Sequence, residues 1–211
     1  MTTIDSSPLA TSEWATQLQS AAEAFASVKE HPSPTDLTKA LIQAEKAAKK
    51  QHYTYPYSAL WGDWRLCFFA PQQAHQKGEQ YVGKGRYFPS FMPAQISFYP
   101  ASDGAGDGTI GSIGNQIQAG PLLIRLTGPA RYLNKKNLLA FDFTHLQVSL
   151  FGYSLYNGKV RGGPRQQQQF ADQPIAKLPF FAFFQVTDRY IAARGRGGGL
   201  AIWVKHGSKT P

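Results

Sequence analysis

One cysteine in 211 residues leaves the chain without an intramolecular disulfide. A cystine-stapled secreted scaffold is excluded, and a reducing compartment is expected. Cys67 lies between Leu66 and Phe68, where a small apolar side chain packed in a strand is the expectation. No histidine stands beside it in sequence to lower its pKa toward a reactive thiolate. Long apolar runs are missing as well. The longest, Leu178 to Phe184, falls far short of the roughly 20 residues a spanning helix needs, so any membrane association is expected to be peripheral. The opening Met1 to Leu9 has neither the basic region and apolar core of a secretory signal nor the arginine-rich form of a transit peptide. The chain is therefore expected to be mature as written.

Catalytic motifs are equally scarce. His31, His52, His75, His145 and His206 show no ligand spacing with one another or with Cys67, and no metal is assigned. Gly195-Arg-Gly-Gly-Gly199 lacks the lysine-serine end of a phosphate loop and precedes a strand rather than a helix. Gly111-Ser112-Ile-Gly114 has its serine directly after the glycine, which is not a nucleophile elbow. Asp103 and Asp107 alternate with glycines, but no third acidic ligand or closing glutamate completes a calcium loop. Paired carboxylates for hydrolysis would have to come from Asp63, Glu79, Asp142, Asp172 or Asp188. Weight moves from enzyme to binding protein, with no cofactor expected.

What the chain does have is a basic, aromatic, glycine-punctuated body. Residues 1–50 hold five Lys and Arg against six Asp and Glu, and residues 51–211 hold seventeen against seven, or −1 and +10. The positive charge therefore belongs to the second part, where it attracts anionic lipid headgroups, nucleic acid or acidic proteins without choosing among them, or simply keeps the surface solvated. In the first part, Trp14, Leu18, Ala21, Phe25 and Val28 recur at helical spacing until His31-Pro32. Ser33 as N-cap, Pro34 and Asp36 then open a second helix with Leu37, Leu41, Ala44 and Ala48 on one face and Lys46, Lys49 and Lys50 at its end. These helices, residues 1–51, are expected to pack on the second part, as a plug over one end or as a docking element.

Residues 52–207 read as antiparallel strands near 63–70, 81–88, 94–100, 109–118, 121–132, 138–150, 180–188 and 198–204. Leu139, Phe141 and Phe143 alternate, and Leu146, Val148 and Leu150 alternate out of step with them. That shift predicts a bulge near Thr144 and His145, which would curve the sheet toward closure. About eight strands closing on themselves leave an interior that side chains fill or that holds one small apolar ligand. Ser102–Gly108 and Lys159–Gln169 read as loops.

At the C-terminus, Leu200, Ile202 and Val204 share one face of a period-two run, and Ala201, Trp203 and Lys205 share the other. With Tyr190 to Arg194 before the glycines, this predicts an ordered hairpin with an arginine-glycine turn. The competing reading is an RNA-binding arginine-glycine segment, which is normally repeated, whereas this one occurs once.

Two segments carry a family resemblance. Leu60-Trp-Gly62-Asp-Trp64-Arg65-Leu66-Cys-Phe68-Phe69 resembles the opening strand of the plastid lipid-associated proteins, or fibrillins, of plastids and cyanobacteria. Tyr190-Ile-Ala-Ala-Arg194-Gly195 with Gly198-Gly-Leu200-Ala-Ile202-Trp-Val204 is similar to their closing strands. The likeness spans roughly residues 36–205. In place of the family's acidic tyrosine-leucine-aspartate sequence stands Gln185-Val-Thr-Asp188-Arg189-Tyr190, so no ligand role of that motif is carried over. The resemblance implies a lipocalin-like barrel that binds a quinone, carotenoid or lipid without catalysis, at the thylakoid surface, from the cytoplasm or the plastid stroma.

The expected ligand-lining residues are Trp64, Phe68, Phe141, Phe143, Arg194 and Trp203, with a basic rim of Arg161, Arg165 and Arg196. Trp64 is either barrel-floor core or cavity lining, with Arg65 on the opposite face. Arg194 is either a cation near the opening or a residue stacked on Trp64 or Trp61. Two other functions stay open: a bilin-binding lyase that uses Cys67 or an acidic residue at the mouth, and a basic module for protein or nucleic acid built on Lys159–Arg165 and Arg194–Arg196.

Overall fold

Start and stop signals in the sequence frame the two helices. A computed structural model describes residues 12–26, 30–71, 74–78, 80–101, 108–160, 170 and 173–206. In it α1 spans Glu13–Ala26 and α2 spans Pro34–Gln51. The Asp36 N–H donates to Ser33 Oγ at 3.1 Å, satisfying one of the donors a helix start leaves open. At the other end His52 takes φ +53° and its N–H donates to the Ala48 carbonyl, a left-handed cap that stops the helix.

The strands are β1 (Gly62–Ala70), β2 (His75–Lys77), β3 (Gln80–Val82), β4 (Arg86–Tyr87), β5 (Ala94–Pro100), β6 (Ile110–Ala119), β7 (Leu122–Leu133), β8 (Leu138–Phe141), β9 (His145–Leu150), β10 (Tyr153–Lys159), β11 (Phe180–Val186), β12 (Tyr190–Gly195) and β13 (Leu200–Lys205). Eight of them pair antiparallel in the closed order β1-β5-β6-β7-β8-β11-β12-β13, with β13 returning to β1. The result is a lipocalin-like barrel with two helices before it, as the strand pattern predicts.

The membership of the ring differs from the expectation in one place. The stretch expected as a strand at 81–88 is cut by Gly83 and Gly85 into β3 and β4, and β4 only covers the end of β1. Gly85 has no freedom to be anything larger, since a Cβ there would come within 2.1 Å of the Phe68 ring. The eighth barrel strand is instead β12, the first arm of the closing hairpin. That hairpin is ordered: the Gly195 N–H donates to the Gly199 carbonyl at 2.9 Å and the Gly198 N–H to that of Gly195 at 2.8 Å.

The two larger apolar clusters lie on the two sides of the wall, and a small third one gathers Ala140, Phe170 and Leu178. Inside the barrel are Leu60, Trp64, Ile96, Phe98, Ile113, Tyr132, Leu139, Phe141, Phe183, Ile191 and Trp203, with Tyr57 from the turn before β1. On the outside, α1 and α2 cover Cys67, Phe68, Phe184, Tyr190, Ala192, Leu200, Ile202 and Val204. The helices therefore pack on the flank formed by β1 and β11–β13 and do not plug an end. The strict alternation of β13 dictates this, since the face that Leu200, Ile202 and Val204 turn away from the interior needs burial of its own.

The bulge expected in the long strand is present between Phe141 and His145. Opposite β7, Ala130 pairs with Phe141 and Thr127 with His145, so four steps on one side match three on the other. Gly128 lies beside this bend because a Cβ there would meet the Asp142 carbonyl at 1.8 Å. Before the bend β8 hands over to β11 and keeps the barrel closed. After it β9 pairs instead with β10, a strand unforeseen in sequence. The wall thus continues as a four-stranded wing, β6-β7-β9-β10, beside one end of the barrel.

Candidate functional site

The first residues of β1 and the last of β13 form the closed end. Trp64 is fully buried there, and its Nε1–H donates to the Leu60 carbonyl at 2.7 Å. Its indole polar group is thus satisfied without a ligand. Tyr57 stacks on Tyr132 at 5.3 Å between ring centroids. Lys205 lies over the Trp64 ring with Nζ 4.1 Å from the centroid, and donates to the Trp61 carbonyl at 2.5 Å. Burial lowers the Lys205 pKa, against the pull of Asp63 and Asp188. This end is packed side chain capped by a cation.

The other end is built differently. Leu66, Phe143, Phe181 and Ala201 belong to the same interior cluster but are only half-buried. Phe181 stacks on Phe141 at 5.1 Å and meets Trp203 edge-on at 5.5 Å, and Phe143 lies 5.1 Å from Phe141. These rings line a mouth of apolar and aromatic surface, the composition of a site for an apolar ligand.

The mouth runs on into the wing. The β6–β7 register is unbroken from Ile110↔Arg131 to Ala119↔Leu122, so positions that face the interior deep in the barrel keep that face beyond it. Directly paired positions share a face, which places Ile117, Ile124, Val148 and Tyr156 in one row and Ala119, Leu122, Leu150 and Tyr153 in the next. The reverse face holds Gln116, Arg125, Gln147 and Asn157 in one row and Gln118, Leu123, Ser149 and Ser154 in another. On the inner face Ile117 is 40% exposed and Ile124 38%. The wing is amphipathic, and its apolar side extends the barrel interior.

Of the expected ligand-lining residues, Phe141, Phe143 and Trp203 come together at this mouth. Trp64 lies in the floor at the opposite end. Phe68 does not line the interior: a bulge between Leu66 and Phe68 shifts the register, and both Cys67 and Phe68 turn outward beneath the helices. Arg194 is neither at the opening nor stacked on a tryptophan. It lies on the outer face with Tyr190 and Ala192, where Nε donates to Glu45 Oε1 at 2.9 Å and Nη2 to Oε2 at 2.6 Å, and Nη1 to the Gly198 carbonyl. This clamp ties the closing hairpin to α2. Burial would raise the Glu45 pKa, but hydrogen bonds from Arg194 and Lys49 outweigh it and hold the carboxyl below its ordinary value. Sequence reasoning missed Leu66, Phe181 and the wing residues, although the Leu146-Val148-Leu150 alternation was the available signal.

In the basic rim, Arg196 is exposed and donates to the Leu178 carbonyl at 3.1 Å. Arg161 and Arg165 lie outside the described residues, as do the loop at 102–107 and the rest of 161–169. Cys67 is fully buried against α1, its Sγ 3.8 Å from the Ala21 carbonyl, and burial pushes its thiol up to about 12. The thiol is thus turned away from the mouth, where a bilin would need it. Arg65 packs its guanidinium on the outside over the Phe25 ring, 5.4 Å from the centroid. Among the described residues, surface clefts occur on the helical side. One of about 410 Å³ includes His31, Arg65 and Tyr87, and one of about 320 Å³ includes Glu45, His52 and Lys136. Neither is lined by the mouth residues. Among the described residues no group of three or more His, Cys, Asp or Glu is placed to hold a metal, and no helix is long and apolar enough to cross a membrane.

Fold and mouth together define a lipocalin-like barrel closed at one end and flanked by an apolar wing at the other. No protein-family model matches the sequence, and no curated protein matches it.

Proposed function

We propose that this chain is a non-enzymatic binding protein for one apolar ligand, a quinone, carotenoid or lipid, and that it works peripherally at a photosynthetic membrane. The observation that carries the reading is the half-buried mouth of Leu66, Phe143, Phe181 and Ala201, backed by the buried Trp203 ring and opening onto the apolar face of the wing. Half-buried apolar surface of this extent is what a bound hydrocarbon would take out of water, at about 25 cal/mol per Å². The ligand class and the membrane come from the resemblance of the opening and closing strands to the plastid lipid-associated proteins.

Native mass spectrometry after incubation with a thylakoid lipid extract tests it. One added mass matching a quinone, carotenoid or lipid is expected, and Phe181→Ala reduces its occupancy. A protein that stays bare against the whole extract would refute ligand binding.

A further inference from the structure

The β9–β10 hairpin has features that ligand binding in the mouth does not account for. Five of the eleven exposed large apolar side chains in the described chain fall within its ten residues from Phe151 to Val160: Phe151 74%, Tyr153 76%, Leu155 63%, Tyr156 46% and Val160 43%. Tyr153 and Tyr156 share the face of the apolar rows, whereas Leu155 sits in the register break between Ser154 and Tyr156 and Phe151 sits in the turn itself. The exposure is thus gathered around the tip of the hairpin as well as on the wing's inner face.

The turn points the same way. Leu150 pairs with Tyr153, leaving Phe151 and Gly152 as a two-residue loop with φ +51° and +83°. Asn-Gly or Asp-Gly is the ordinary choice where both residues take positive φ, and a bulky side chain is rare in that region. A phenylalanine held there, three-quarters exposed, gains little from its own fold.

Charge chooses the occupant. From Phe143 to Val160 there is no Asp or Glu, while Arg125 on the wing and Lys159 at the end of β10 are positive. A second copy would bring the same positive field to the same patch. An anionic bilayer supplies the opposite sign together with an apolar layer for the tip, and tyrosines suit the boundary between the two. We infer that Phe151, Tyr153 and Leu155 insert into the interface of an anionic lipid bilayer, with the wing's apolar face leading from the lipid to the mouth. This inference rests on the membrane-surface reading proposed above and names the element that makes the contact.

The test keeps the two apart. A Phe151→Ser/Leu155→Ser variant, which leaves the inner-face rows of the wing intact, is compared with the parent for sedimentation with phosphatidylglycerol vesicles and, separately, for ligand capture from detergent-dispersed lipid extract. Expected are at least about a tenfold loss of vesicle binding, with ligand capture and thermal unfolding unchanged. In a second experiment, Phe151→Cys carrying an environment-sensitive dye shifts to the blue on vesicle addition, and Gln51→Cys on the helical side does not. The inference is overturned if the parent ignores the vesicles, if the double variant sediments like the parent, or if the dye at position 151 shifts on self-association or with an acidic protein but not with lipid. None of those results touches ligand capture, which stands or falls on its own measurement.

Discussion

The two ends of the barrel are made by the same eight strands and finish in opposite ways. At the closed end Trp64, Tyr57 and Tyr132 are fully buried, with the Trp64 indole hydrogen-bonded and Lys205 laid over its ring. At the open end Phe143 and Phe181 remain half-buried, and β9 swings out to pair with β10. One bulge accounts for much of the difference, because the extra residue between Phe141 and His145 lets a single wall serve a closed ring below and a free wing above. The function proposed above assigns stability to the first end and binding to the second, and substitutions that separate the two quantities test this division.

The largest effect is expected at the floor. Trp64→Ala removes a fully buried indole and leaves the Leu60 carbonyl without its donor, a loss of about 3–5 kcal/mol. Urea unfolding measures it, and the variant that still folds keeps its ligand. Should Trp64→Ala abolish ligand capture with little change in stability, the floor would be part of the site and the contrast between the ends would fail.

Next comes the outer clamp. Glu45→Gln leaves Arg194 with a neutral partner on a side chain that is 25% exposed, which costs about 2 kcal/mol, less than for a fully buried pair. Because the folded Glu45 pKa is below its unfolded value, the pair's contribution is fully present above the unfolded pKa and is lost as pH falls through the folded one. Thermal unfolding of the parent between pH 7 and pH 3 should therefore converge on that of Glu45→Gln at the acid end. Parallel curves would show that the clamp does not titrate.

These residues also mark what the sequence discloses. Ser33, the alternation of β13 and the bulge near Thr144 were legible because each is a local rule: a cap, a period of two, a break in that period. Period-two counting from Trp64 puts Phe68 on the wrong side because it cannot see the bulge at Cys67, where no change of residue type marks it. The Arg194–Glu45 pair joins positions 149 apart in sequence, and nothing local announces it. The strand Tyr153–Lys159 was missed because Ser154, Asn157 and Gly158 are turn residues by composition, and pairing to β9 overrides that preference. The mouth was half legible: Phe141, Phe143 and Trp203 follow from alternation, whereas Leu66 and Phe181 depend on which end of the barrel stays open.

At the mouth, Phe181→Ala is expected to cost about 1–2 kcal/mol, below the range for a fully buried ring because part of its surface already meets water. Its effect on binding is larger in proportion. The ring touches both Phe141 and Trp203, so its removal should weaken ligand capture by about tenfold, equivalent to roughly 1.4 kcal/mol. Competitive native mass spectrometry against the parent reads this directly, and equal occupancy would move the ligand away from the mouth.

The finest test uses two isoleucines on one strand. Ile113 and Ile117 lie four residues apart on the same face of β6, pair with Gly128 and Ile124 of β7, and differ in exposure, 1% against 40%. Strand, residue type and face are held constant, so apart from the cross-strand partner the two truncations differ in where the barrel stops being closed. Ile113→Ala opens a cavity in a packed interior and is expected to cost about 2–4 kcal/mol without changing which ligand is captured. Ile117→Ala removes methylenes that already meet solvent and is expected to cost at most about 0.5 kcal/mol, while reducing ligand occupancy by about twofold. If both truncations cost the same stability, the wing is as tightly packed in solution as the floor, and the apolar path from tip to mouth is closed.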